Sequence, residues 1–127
     1  MTILLIEDSR LLRLAISRML IKAGYAVIAV GDGEEGLRKA QESRPDAILL
    51  DMMLPTMEGI VVLRRLKQNP LTQAIPVLVL SGLSQKNEEK LKSEGAAAYF
   101  EKSLLDFEGE GTTFVNALGS LLYGLRA

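Results

Sequence analysis

Short apolar runs alternate with helix-forming stretches along the whole chain, at residues 3–7, 25–30, 47–50, 77–80 and 97–101. That alternation constrains the fold more than any other feature. Strands joined by a helix-length connection pair in parallel, because a parallel neighbour needs a crossover of about a dozen residues or more. Ala47-Ile48-Leu49-Leu50 and Val77-Leu78-Val79-Leu80 show no polar alternation, as expected of central strands covered by helices on both faces. The expected fold class is α/β: a flavodoxin-like three-layer α/β/α sandwich with a five-stranded parallel sheet in the order 2-1-3-4-5, forming one domain over residues 1–127. Parallel strands all finish on one edge of the sheet, so the residues that close them converge. These are Glu7 and Asp8 after the first strand, Asp51 after the third, Ser81 after the fourth and Lys102 after the fifth. The carboxyl edge is also where such sheets bind their ligands.

The helical stretches carry the expected punctuation. Residues 9–23 place Leu12, Ile16, Met19 and Ala23 on one stripe with Leu20 beside it, with Asp8 or Ser9 as the cap and Gly24 as the stop. Gly31-Asp32-Gly33 turns into a second helix ending near Ser43, where Arg44-Pro45-Asp46 breaks it. A third covers about 59–67, and its Arg64, Arg65 and Lys67 read as a solvated face. The fourth, 84–94, has Leu91 as its only large apolar residue, so little packing holds it, and Gly95 stops it. The fifth begins at Thr112 or Thr113, with Phe114, Leu118, Leu121 and Leu125 on one face, after an acidic, glycine-bearing loop that follows Lys102.

Composition removes most of the usual chemistry. The chain has no cysteine and no histidine, which excludes disulfides, thiolate and imidazole catalysis, and metal sites built from either residue. A net charge of -1 provides no basic field to track a phosphate backbone, so no nucleic-acid binding is expected of this chain alone. No apolar stretch approaches the roughly 20 residues needed to span a bilayer, so no membrane insertion is expected. Met1 and Thr2 run directly into the first strand with no room for a signal peptide, and a cytoplasmic location is the expectation. Carboxylates, hydroxyls and lysines must carry the function.

Three converging carboxylates repel one another unless a cation joins them. Magnesium suits such a site, because it takes hard oxygen ligands and commonly uses one or two protein carboxylates together with phosphate oxygens. With no other nucleophile available, a carboxylate is the candidate, and it can form an acyl-phosphate. That transfer needs positioning and charge neutralisation: a metal on one side, Lys102 on another and the Ser81 hydroxyl on a third, with Gly82 leaving space beside it.

In their order and spacing, four pieces resemble the response-regulator receiver domain of two-component signalling, over essentially the whole chain. They are Glu7-Asp8, the run Asp51-Met52-Met53-Leu54-Pro55-Thr56-Met57-Glu58-Gly59, Ser81-Gly82, and Tyr99-Phe100-Glu101-Lys102. The resemblance implies that Asp51 is the phospho-acceptor, charged by a histidine kinase or phosphotransfer protein. It implies that Glu7, Asp8, Asp51 and the backbone carbonyl of Met53 hold Mg2+, and that Lys102 binds the phosphoryl oxygens. Ser81 would move toward the phosphoryl group while the Tyr99 ring turns inward, and Leu83 and Met53 would influence how readily water attacks the acyl-phosphate. The face made by the fourth helix, fifth strand and fifth helix would then bind a downstream protein or effector domain, or a second copy as a homodimer. Leu11 and Leu14, off the core stripe of the first helix, would help to dock the phosphodonor.

Two features depart from the family pattern. Ser103 follows Lys102 where a proline with a cis bond is usual, and a cis non-prolyl bond costs about 2.5–4 kcal/mol. The loop 103–111 is also longer than usual. Three other functions compete. A receiver-like interaction module that is not phosphorylated would lack the need for an intact acid pair, acceptor, hydroxyl and lysine. A nucleotide or flavin binder needs a glycine-rich first loop, but Asp8-Ser9-Arg10-Leu11 has none. A carboxylate-nucleophile phosphatase places a second aspartate two residues after the first, where this chain has Met53.

Overall fold

The computed structural model describes residues 1–52, 54, 57–82, 88–105 and 111–126. Its elements run β1 (Thr2–Ile6), α1 (Arg10–Lys22), β2 (Ala26–Val30), α2 (Gly33–Ser43), β3 (Ala47–Asp51), α3 (Gly59–Gln68), β4 (Val77–Ser81), α4 (Glu88–Ser93), β5 (Ala98–Glu101) and α5 (Thr112–Arg126). All four strand pairings are parallel and the order is β2-β1-β3-β4-β5, as the alternating pattern required.

The strands' period of two divides the core between the faces of the sheet. Leu4, Ile6, Ile48, Leu50, Val77 and Val79 face Ala40 of α2, Val62, Leu63 and Leu66 of α3, and Leu91 of α4. Ile3, Leu5, Leu49, Leu78 and Leu80 face Ile16 and Leu20 of α1 and Phe114, Leu118 and Leu122 of α5. The Phe100 ring of β5 meets Phe114 edge to face at 5.3 Å. With both faces covered, every residue of β3 and β4 is buried, which is why neither run shows polar alternation.

Helix ends follow local chemistry. Ser9, not Asp8, caps α1, its side chain accepting from Leu12 N–H at 3.2 Å, and Asp32 caps α2 by accepting from Glu35 N–H at 2.8 Å. Gly24 and Gly95 end α1 and α4 with φ of 99° and 108°, backbone that residues with a Cβ rarely adopt.

Four expectations change. The buried stripe of α5 is Phe114, Leu118 and Leu122, while Leu121 lies at its flank and Leu125 is exposed. Ala23 of α1 is likewise exposed. The segment after β5 opens with a 3-10 turn, Lys102–Leu104, rather than an irregular loop, and it seats buried Leu105 against Phe114 and its neighbours. Lys67 is not part of a solvated face: its half-buried ammonium donates to the carbonyls of Gln73 (3.1 Å) and Ile75 (2.8 Å), and burial pushes its pKa down. The described part of α4 spans Glu88–Ser93; residues 84–87 and most of the loop 103–111 lie outside the described residues.

Candidate functional site

The carboxyl edge brings the expected residues together. β1 ends at Ile6, and the Glu7 N–H donates to the Val30 carbonyl of neighbouring β2 at 3.0 Å, fixing where the acidic pair leaves the sheet. The Glu7 carboxylate is buried, and its Oε2 accepts from the Ser9 N–H at 3.2 Å. Asp8, one residue on, is exposed at the rim. Asp51 ends β3 with its side chain buried. Glu7, Asp8 and Asp51 each bring a carboxylate oxygen within 4.8 Å of the others.

Lys102 closes the cluster from the far side of the sheet. Its ammonium lies 3.1 Å from Asp51 Oδ1 and 3.4 Å from Glu7 Oε1. No cis peptide bond occurs among the described residues, so the lysine reaches both carboxylates with a trans bond to Ser103. Partial burial works against its charge, but the hydrogen bond and charge of Asp51, helped by Glu7, outweigh it and hold its pKa above the ordinary lysine value.

One ammonium does not satisfy three carboxylates. Burial first, and then the adjacent Asp51, pushes the Glu7 pKa up to about 7, the response of a carboxyl group short of positive charge. Glu7 Oε1 is buried and accepts no hydrogen bond from the described residues, its ammonium neighbour at 3.4 Å apart. An all-oxygen donor set with excess negative charge and an unsatisfied buried oxygen fits a hard divalent cation such as magnesium.

Ser81 ends β4, buried, one position past Leu80, which is in register with Asp51. A Cβ built on the next residue, Gly82, would meet nothing within 4 Å among the described residues. Tyr99 of β5 is half-buried and packs against the cluster that includes Leu91 and Ala96, which joins it to α4. Leu11 and Leu14 are 81% and 49% exposed on α1. Met53 and Leu83 lie outside the described residues.

Sequence reasoning missed Arg13. Its Nη1 donates to the Glu7 carbonyl at 3.0 Å and, more loosely, to the Asp8 carbonyl at 3.4 Å. The one available signal was a cation in the first turns of a helix with no acidic residue there, against the helix dipole.

Residues 3–108 match the family model of the response regulator receiver domain, and the chain belongs to that family. Receiver domains are the signalling switches of two-component systems and bind Mg2+ in an acidic pocket. The chain is 38% identical over 101 residues to the alkaline phosphatase synthesis transcriptional regulatory protein PhoP of Bacillus subtilis, matching 79% of this chain but only 41% of that protein. It is 35% identical over 105 residues to the polar-differentiation response regulator DivK of Brucella anthropi, covering 81% of this chain and 85% of DivK. Among solved structures, the Vibrio cholerae chemotaxis protein CheY4 superposes with a TM-score of 0.84 at 27% identity, covering 94% of this chain and 97% of that one. No helix among the described residues is long and apolar enough to cross a membrane.

Proposed function

We propose that this domain is a switch operated by phosphorylation of Asp51. The observation that carries this reading is the Lys102 ammonium 3.1 Å from the Asp51 carboxylate, inside a cluster of three acidic groups at the carboxyl edge. An Asp51 oxygen attacks the phosphorus of a phosphohistidine on a histidine kinase or phosphotransfer protein. The phosphorus–nitrogen bond breaks, and the donor imidazole leaves with its electron pair. Lys102 pairs with the phosphoryl oxygens, and the Ser81 hydroxyl donates to them. Glu7, Asp8, Asp51 and the Met53 carbonyl would hold magnesium, which would supply the positive charge that lets an anionic donor approach an acidic pocket. Leu11 and Leu14 offer the donor protein an apolar contact beside the pocket.

The readout lies on the opposite flank. Leu91 is the one buried side chain of described α4, and Glu94, the residue just past it, accepts from Arg64 of α3 through two contacts at 2.9 Å. A helix whose described part buries one side chain can take two arrangements separated by a few kcal/mol. Ser81 moving toward the phosphoryl group opens room for the Tyr99 ring, which shifts the α4–β5–α5 face that binds an effector or a second copy.

Two measurements test this. Incubation with magnesium and a small phosphodonor should add one phosphate to the intact mass, and chelator should prevent it; no gain would leave an interaction module without phosphorylation. Beryllofluoride with magnesium should change amide exchange mainly within residues 82–102 and leave the α2 face around Arg38 as it was. Uniform change, or none in that segment, would remove the switch.

A further inference from the structure

Arg13 closes the first turn of α1, the end of a helix that disfavours a cation. It lies four residues after the Ser9 cap, and the first turn of α1 contains no acidic residue. The positive end of the helix dipole weakly opposes it there. A local conflict of this kind calls for a tertiary reason. The reason is in the loop: Nη1 donates to the carbonyls of both Glu7 and Asp8. The guanidinium also lies against the end of β2, where a Cβ built on Gly31 would stand 3.0 Å from Nη1 and 3.8 Å from Cζ. The Glu7 N–H already donates to Val30 just before that glycine. Glu7 is thus held at its N–H by β2, at its carbonyl by Arg13 and at its carboxylate by the Ser9 N–H.

We infer that Arg13 is a positioning residue for the cation site: it fixes the carbonyls of Glu7 and Asp8 and so aims their carboxylates into one pocket. This rests on the receiver reading, because it assumes that the pocket binds magnesium. Groups that orient metal ligands without touching the metal typically contribute about 10–100-fold to metal affinity.

Charge and positioning predict opposite signs here, which makes the inference decidable. As a bare cation beside the acidic pair, Arg13 repels a second cation, and removing it would tighten magnesium binding. As a positioning group, its removal loosens the loop and weakens binding. The experiment is calorimetric titration of magnesium chloride into wild type, Arg13→Gln, Arg13→Lys and Gly31→Ala. Amide exchange at residues 7–9 and thermal unfolding are measured on the chelated proteins.

Arg13→Gln should bind magnesium about tenfold more weakly, with faster exchange at 7–9 and a nearly unchanged unfolding midpoint. Arg13→Lys, able to reach one carbonyl, should recover part of the affinity. Gly31→Ala keeps the arginine and its charge but moves the guanidinium, so it should weaken binding in the same direction by less; its contact is with the far end of a flexible side chain, so the fold tolerates it. Equal or tighter binding by Arg13→Gln overturns the inference, as does a lowered midpoint with unchanged affinity, which would make Arg13 structural only. If wild type itself binds no magnesium, the receiver reading fails. The exchange at 7–9 then still decides whether Arg13 orders the loop, and no change there overturns the inference independently.

Discussion

Asp51→Asn is expected to lose phosphoryl labelling completely while keeping the wild-type fold. An amide offers no carboxylate oxygen to form the acyl-phosphate, and the other two acids of the cluster are built for a different task. Glu7 is turned inward, held by the Ser9 N–H and the Lys102 ammonium, and Asp8 lies exposed at the rim. The fold should survive because Lys102 retains Glu7 at 3.4 Å and is partly exposed, so no buried charge is orphaned. Removing Asp51 also relieves its repulsion of Glu7, one of the causes that raise the Glu7 pKa. The check is intact mass after incubation with magnesium and a small phosphodonor, beside far-ultraviolet circular dichroism. Wild type should show an acid-stable, base-labile gain of one phosphate. A folded Asn variant labelled to the wild-type extent would move the acceptor elsewhere.

The second large effect is a pH dependence of stability in the metal-free protein. Glu7 has a pKa of about 7 in the fold against 4.5 for an ordinary glutamate. Between those values the folded state binds more protons than the unfolded one, so the stabilisation is present at and below pH 4.5 and is lost as pH rises through 7. The loss amounts to roughly 3 kcal/mol, or a fall of about 10 °C in the unfolding midpoint for a domain of this size. Glu94, held below the usual carboxylate range by Arg64, titrates beneath this window and does not mask the slope. In chelator, the midpoint should therefore fall between pH 5 and pH 8. Saturating magnesium should restore the high-pH end, since a cation stabilises the ionised cluster. Glu7→Gln cannot titrate and should flatten the profile in chelator. A flat wild-type profile would mean that Glu7 is ionised and satisfied without a metal.

Much of this is legible in the amino-acid sequence. The aliphatic runs 47–50 and 77–80 could only be central strands, and parallel pairing then required Glu7, Asp8, Asp51, Ser81 and Lys102 to meet on one edge. These features belong to local pattern: apolar period, turn residues and the rule that parallel strands end together. The cap Ser9 and the stops Gly24 and Gly95 were legible for the same reason, because each acts within a few residues of its own position.

What the chain alone could not decide was which polar groups the fold would bury, and against what. Glu7 and Asp8 are adjacent and chemically alike, yet one is fully buried with a raised pKa and the other is exposed. The difference comes from β2, Lys102 and Asp51, all distant in sequence. Lys67 resembled its solvated neighbours until the turn after α3 supplied two carbonyls for its ammonium. Leu122 and Leu125 are equally apolar, and only the reach of α5 over the sheet buries the first and leaves the second in solvent. Arg13 was one more helix cation until the loop carrying the acidic pair folded back over it. Backbone pattern acts over a few residues and is written into the sequence; desolvation and hydrogen bonding to a distant carbonyl exist only once the sheet and its helices have closed.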